Sequence, residues 1–331
     1  MYTWILIQFK LFTIILNIVN NYLSIENAEE IVTVILINRN HGHTLSQTIE
    51  SYLKQSASGV KILCMDGNSS DNSLEILQKY KGVKVVSRVD RSGSEAIVNG
   101  LALAKGRYIM IATSNDLLLD ENFIKVSLDV MEEDHSISCV FGKVLSMTNN
   151  GEVGNEIFPY VSNYFGDYKK NFLRWLLNGA SFHECATLFR RDVVLECLPN
   201  LEDFVHEIEL LKEDLTLRLR YEFYSRGFKS HFIDKNTIAV RDHSDRTSVN
   251  FKDYIYNHLI FYDNQIFNFR KNFLMSRKYK FRSLSNSDLG QLNNWEIAKS
   301  FIVVMYRVIR RLLGQAKKSI SNYLNSGDER I

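Results

Sequence analysis

Between residues 31 and 112 short apolar runs alternate with segments of helical periodicity. IVTVILI (31–37), VKILCM (60–65), VKVVS (83–87) and RYIMIA (107–112) have the length and apolar, largely β-branched content of buried strands. Between them Leu45, Ile49 and Leu53 fall four apart, as one helix face requires; Leu74 and Leu77 mark a second helix, and Ala96 to Ala104 a third. This alternation predicts an α/β protein with a mostly parallel central sheet flanked by helices. Ligands of such sheets bind beyond the carboxyl ends of the strands, so the loops at 38–43, 66–71 and 113–116 are expected to line one crevice.

The two ends have a different pattern. Residues 1–28 are expected to form an apolar N-terminal helix in which Lys10, Thr13, Asn17, Asn20 and Asn21 share one face. No charged leader precedes it and no small-residue cleavage site follows, so it does not read as a secretory signal. It suits an in-plane amphipathic helix, a weak membrane anchor, or a helix packed on the protein's own core. Residues 249–331 are expected to form a helical, basic extension around a central domain at 29–248. There Ile297, Phe301, Val304, Val308 and Leu312 share a face, and residues 295–318 hold six basic side chains against the single acid Glu296. Such a helix either rests on an anionic membrane surface or closes the domain with its polar side in water.

Composition narrows the classes. With 40 Lys+Arg against 38 Asp+Glu in 331 residues the net charge is +2, which argues against a nucleic-acid partner. The hydrophobic share of 45% and only 2 Pro exclude global disorder and stalk-like chains. The cysteines Cys64, Cys139, Cys185 and Cys197 have no metal-site or disulfide-framework spacing, which favours a reducing, cytoplasmic setting.

The expected crevice loops carry the chemistry. Asp66-Gly67-Asn68-Ser69-Ser70-Asp71-Asn72-Ser73 follows the second strand. Ser70 or Asp71, followed by Glu75, reads as a helix cap. Asp66 precedes the glycine, outside the capping positions, where a strand-end acid would meet ribose hydroxyls or a base N–H. A dinucleotide fingerprint and a P-loop are both absent. Asn38-Arg39-Asn40-His41-Gly42-His43 has too little glycine and base for a nucleotidyltransferase loop.

VILINRN (34–40), MDGNSSDNSLEIL (65–77), SEAIVNGLALAKGRYI (94–109) and TSND (113–116) resemble the successive blocks of the family 2 glycosyltransferases. The resemblance resumes at 180–248 with ATLFRRDVV, LKEDLTLRLR, RGFKSHFID and IAVRDHSDRTS. It implies a GT-A nucleotide-sugar fold and an inverting transfer of sugar from a nucleoside diphosphate to a hydroxyl of a glycan or lipid-linked acceptor. The expected setting is surface-polysaccharide assembly, peripheral at the inner face of a membrane.

Residue by residue, the resemblance implies that Asp66 contacts the nucleoside and that Asn38, Asn40 and Ser94 belong to the donor site; the asparagines also suit turn chemistry. It implies Asp214 as the base, with Glu213 beside it, although two acids at a helix start also suit the helix dipole. His183 and Glu184 match the acceptor side. Arg241 and His243 match a block near the diphosphate, and Arg190 or Arg191 either approaches phosphate or is solvated. A divalent cation, Mg²⁺ or Mn²⁺, is implied at the loop holding Asn115 and Asp116. Here the chain departs from the pattern, because Thr113-Ser114-Asn115-Asp116 retains a single carboxylate and the helix asparagine is replaced by Val98, with Asn99 next to it. The alternative is a catalytically impaired nucleotide-sugar-binding partner subunit.

Overall fold

The computed structural model describes residues 30–156, 182–198 and 215–241. The expected N-terminal helix and C-terminal extension, with Glu213, Asp214 and His243, lie outside the described residues. Strands β1 (Val32–Asn38), β2 (Val60–Asp66), β3 (Val83–Ser87) and β4 (Tyr108–Thr113) fall within a residue of the expected runs. Helices α1 (Gly42–Leu53), α2 (Ser73–Leu77) and α3 (Gly93–Leu103) connect them. Then follow β5 (Leu117–Leu118), α4 (Phe123–Glu133), β6 (Ile137–Met147) and β7 (Val153–Glu156). A 3-10 turn at Glu184–Ala186 leads to β8 (Thr187–Arg190), α5 (Arg191–Cys197), α6 (Leu215–Ser225) and β9 (Lys229–Arg241).

These strands form a nine-stranded sheet in the order β3-β2-β1-β4-β8-β6-β9-β5, with β7 paired to β6. The β3-β2-β1-β4 half is parallel, as βαβ connections require. Beyond β4 the sheet is mixed, because β8 runs antiparallel to both β4 and β6 while β6 and β9 are parallel.

Strand alternation divides the core. Ile35, Ile109 and Ile111 face one cluster with Ile97 and Leu101 of α3 and Leu219 and Phe223 of α6. Val34, Leu36 and Met110 face the other, with Leu45 and Ile49 of α1 and Ile124 of α4. Each such aliphatic side chain contributes roughly 1.5–3 kcal/mol by burial. Helix α3 lies close to the sheet because Gly100 has no side chain: a Cβ there would come within 2.3 Å of Ile35 Cγ2. On α1 the expected face is corrected at its end. Leu53 is 52% exposed and Tyr52 is buried instead. A four-residue step turns about 400° around a helix, so a run of them drifts off the face, whereas three residues after Ile49 stays on it.

Candidate active site

β1 and β2 end side by side, with Asn38 in register with Asp66. The Asp66 carboxylate is fully buried and receives four donors. Asn38 Nδ2 (2.8 Å) and Ser69 Oγ donate to Oδ1, while the Ser69 amide (3.0 Å) and Ser87 Oγ (2.7 Å) donate to Oδ2. Burial alone would raise this carboxyl's pKa, but the donated bonds from Ser69, Ser87 and Asn38 outweigh it and hold the pKa below its ordinary value. Ser69 Oγ also accepts from the Asn40 amide at 2.9 Å. Asn40, at φ 57°, returns the contact by accepting the Ser70 N–H on Oδ1 at 2.7 Å. Of the two expected caps it is Asp71 that bonds the start of α2, from the position before Asn72, which occupies the N-cap without a side-chain bond. Asp71 accepts from the Ser73 amide (3.0 Å) and from the Gly42 amide at the start of α1 (2.8 Å), joining two helix starts.

A cavity of about 420 Å³ opens across these strand ends. Asn38, Arg39 and His41 after β1, Gly67 after β2, Asp90, Ser92 and Gly93 after β3, and Thr113 to Asp116 after β4 line it. His183, Glu184 and Cys185 close the side toward β8. The three loops expected to converge do so. Asp90 has no periodic or motif signal within the stretch Arg88 to Ser92. It is buried because Arg88 Nε lies 3.2 Å from its Oδ1, to which Asn99 Nδ2 donates at 3.0 Å. Burial raises its pKa, and the opposing effects of Arg88 and Asn99 do not cancel this. The asparagine next to Val98 thus serves a cavity acid.

The 113–116 loop is held from within. Asn115 Oδ1 accepts from Thr44 Oγ1 at 2.9 Å, and its Nδ2 lies 3.3 Å from His41 Nε2. Asp116 accepts from the Arg241 backbone N–H on Oδ1 (3.1 Å) and from Thr113 Oγ1 on Oδ2. His183, Glu184 and Cys185 place potential ligand atoms within 4.8 Å of one another. Glu184, however, is paired with Arg220 at 2.7 Å, and His183 Nδ1 accepts from the Cys185 amide at 3.3 Å. Neither group fits a hard divalent cation, which prefers several charged oxygens free to converge.

Asn38, Asn115, Asp116, His183 and Glu184 therefore share one cavity. Asp66, Asn40, Ser94 and Arg241 are not among its lining residues. Ser94 sits one position past Gly93 in the first turn of α3, and Ser92, which caps that helix, takes the wall. The Arg241 guanidinium donates to the carbonyls of Asn115 and Asn149 and to Gln47 Oε1. Arg190 is committed at the opposite end of the sheet, donating to the Ile137 and Met131 carbonyls and to Tyr108 Oη. Arg191 starts α5 beside it, its amide bonded to the Arg107 carbonyl, so neither arginine approaches this cavity.

A parallel half-sheet with a cleft at its carboxyl ends and a short polar loop after β4 is the arrangement expected of the GT-A class of nucleotide-sugar proteins. The description Glycosyl transferase family 2 matches residues 33–198, half of the chain, and the chain belongs to that family. Among its relatives, Streptococcus pneumoniae glycosyltransferase GlyG is 29% identical over 33% of this chain and 38% of its own length. The Escherichia coli UDP-Glc:alpha-D-GlcNAc-diphosphoundecaprenol beta-1,3-glucosyltransferase WfgD is 28% identical over 40% of this chain and 53% of its own. The chain thus spans about half or less of the length of these two. A crystal structure of S. aureus TarS is 17% identical, covers 78% of this chain and 77% of its own, and has a TM-score of 0.47. Among the described residues no helix is long and apolar enough to cross a membrane.

Proposed function

We propose that this chain is an inverting glycosyltransferase that moves a sugar from a nucleoside-diphosphate sugar to a hydroxyl of a glycan or lipid-linked acceptor in surface-polysaccharide assembly. The observation that carries this reading is the single cleft built by the loops after β1, β2, β3 and β4 in a family 2 chain. The diphosphoundecaprenol substrate in the name of WfgD supports the lipid-linked acceptor.

The donor lies across the strand ends, with its diphosphate beside the 113–116 loop and its sugar toward His183 and Glu184. Asp66 and Asn40 act by positioning: they hold the wall that carries Asn38 and Gly67. Glu213 and Asp214 immediately precede α6, whose Leu215, Leu219 and Phe223 are buried. Asp214 accepts the proton of the acceptor hydroxyl as its oxygen bonds to the anomeric carbon. The bond from that carbon to the diphosphate breaks on the opposite face. Arg39 and His41 on the cleft wall face the charge that builds on the leaving group. A divalent cation, where one binds, would neutralise the same charge, held chiefly by the donor's own oxygens. The basic segment at 295–318 is proposed to rest on the anionic inner face of the membrane.

The internal bonding of Asp116 favours a second reading, in which the chain binds nucleotide sugar without turning it over and serves a catalytic partner. Incubating the purified protein with a panel of nucleotide sugars, with and without diphosphoundecaprenol-linked glycans, decides between them. Acceptor-dependent release of nucleoside diphosphate supports the enzyme, binding without release supports the partner subunit, and neither would sink both.

A further inference from the structure

The loop after β4 lines the cleft, yet its oxygens are committed within the protein. Thr44 and Thr48 stand one turn apart on the buried face of α1, and both are buried. Thr44 Oγ1 lies 2.9 Å from both the Ser114 carbonyl and Asn115 Oδ1. Thr48 Oγ1 lies 3.0 Å from the Ser114 carbonyl and 2.9 Å from the Asp116 carbonyl. The Thr113 carbonyl accepts the Asp116 amide (3.2 Å) and the Asn115 carbonyl accepts Arg241 Nε (3.2 Å). The Asp116 carboxylate accepts the Arg241 amide and Thr113 Oγ1. Every carbonyl, amide and carboxylate oxygen from Thr113 to Asp116 thus already meets a donor from within the chain.

We propose that this chain binds its nucleotide-sugar donor without a divalent cation, and that Thr44 and Thr48 are the positioning residues that make this so. The inference rests on the donor-site reading above. A hard cation takes about six or more oxygens, several of them charged, in a defined geometry. At this loop it would gain a single carboxylate and would first have to break the bonds that hold it. The chain supplies positive charge of its own. Arg39 lines the cleft with no carboxylate partner among the described residues. Its stem lies along Gly67, where a Cβ would come within 3.3 Å of Arg39 Cδ. A guanidinium so placed offers a planar fork of donors suited to phosphate oxygens. A cation that accompanies the nucleotide is held by the nucleotide's own oxygens as it is in water, so by linkage it leaves nucleotide affinity unchanged.

The test is titration calorimetry of the full chain with UDP, GDP, CDP and ADP in EDTA, in Mg²⁺ and in Mn²⁺. At least one nucleotide should bind in EDTA, with an affinity less than about fivefold below that in either cation. A gain of about fivefold or more in Mg²⁺ or Mn²⁺, the scale of ordinary coupling between two ligands, overturns the inference and leaves the donor site standing. Binding of none in any buffer overturns both. Thr48→Val nearly keeps the side-chain shape and removes the hydroxyl from the Ser114 and Asp116 carbonyls. Its affinity in EDTA should fall about tenfold and return when Mn²⁺ is added, because the released carbonyls become ligands. Thr48→Ser should stay indifferent to the cation. A purely structural role would lower affinity alike in all three buffers, and that result, or a folded Thr48→Val as indifferent to Mn²⁺ as the wild type, removes the threonines from the role. If Thr48→Val does not fold, Thr44→Val, in which Thr48 still meets the Ser114 carbonyl, is read in the same way.

Discussion

The backbone N–H of Arg241 donates to Asp116 Oδ1 at 3.1 Å, a contact between residues 125 positions apart. The Arg241 side chain continues the same clamp, donating to the carbonyls of Asn115 (3.2 Å) and Asn149 (2.8 Å) and to Gln47 Oε1 (2.7 Å). The end of β9 thereby holds the cleft loop after β4 against α1 and the turn after β6. The carboxylate that the family pattern would direct at a cation is positioned here by a main-chain donor.

Replacing Arg241 by Met leaves the buried Asn115 carbonyl without this donor while retaining most of the side-chain volume. We expect a loss of at least about 2 kcal/mol of stability, measured by urea denaturation, with weaker nucleotide binding. Arg241→Lys should recover little, because an ammonium cannot span three acceptors set for a planar fork. An unchanged midpoint in both variants would show that the clamp is dispensable.

The parallel half of this architecture was legible because strand and helix periods alternate cleanly between Val32 and Thr113. The convergence of its loops follows from that topology alone. The insertion of β8 between β4 and β6 was not legible, since nothing in the spacing of Thr187 to Arg190 names its partners. For the same reason Arg241 and Arg190 could be read as phosphate ligands: a buried arginine bonded to carbonyls and an exposed one look identical in a sequence. Asp90 carries no such signal because its burial depends on Arg88 and Asn99, not on any apolar pattern around it.

Asp66→Asn sets an amide hydrogen against donors from Ser69, Ser87 and Asn38, and should cost about 1–3 kcal/mol. Because the folded Asp66 pKa is lowered, its carboxylate contributes stability fully above the unfolded value of about 3.9, and that contribution is lost as pH falls through the folded value. The difference in unfolding free energy between wild type and variant should be flat from neutral pH to about 5 and shrink below about 4. A difference that grows on acidification would mean that the carboxyl is not held ionised by these donors.

On the proposed mechanism Asp214→Asn should lower turnover by about 10²–10⁴-fold while nucleotide affinity stays near the wild-type value, because the base acts on the acceptor proton in the transition state. Single-turnover transfer with calorimetry on the same preparation separates the two quantities. Transfer at the wild-type rate would exclude Asp214 as the base.

Deleting residues 295–331 should release the chain from anionic vesicles. The segment 295–318 carries six basic residues against one acid, and each basic group near such a surface contributes roughly 1 kcal/mol. Cosedimentation at low and high salt reads this directly. Retention of the shortened chain would place the membrane contact elsewhere.

The last expectation concerns the cation. Asp116 is the only carboxylate in the 113–116 loop, and its oxygens are engaged by the Arg241 amide and Thr113 Oγ1. Asn115 Oδ1 accepts from Thr44 Oγ1. A cation arriving without nucleotide would have to break these bonds for little charge, so the protein alone should bind Mn²⁺ weakly, and binding should strengthen when UDP or GDP supplies its own oxygens. Thr113→Asp with Asn115→Asp adds two carboxylates at cavity-lining positions, removes the Thr113 donor from Asp116 and keeps an oxygen for Thr44 to meet. Three neighbouring carboxylates repel one another until a cation joins them, so the double variant should bind Mn²⁺ without nucleotide and melt higher when Mn²⁺ is added. Mn²⁺ titration of both proteins, with and without UDP, reads all four cases. Tight binding by the wild type alone would mean that other residues are the ligands, and no gain in the variant would mean that this loop does not face the diphosphate.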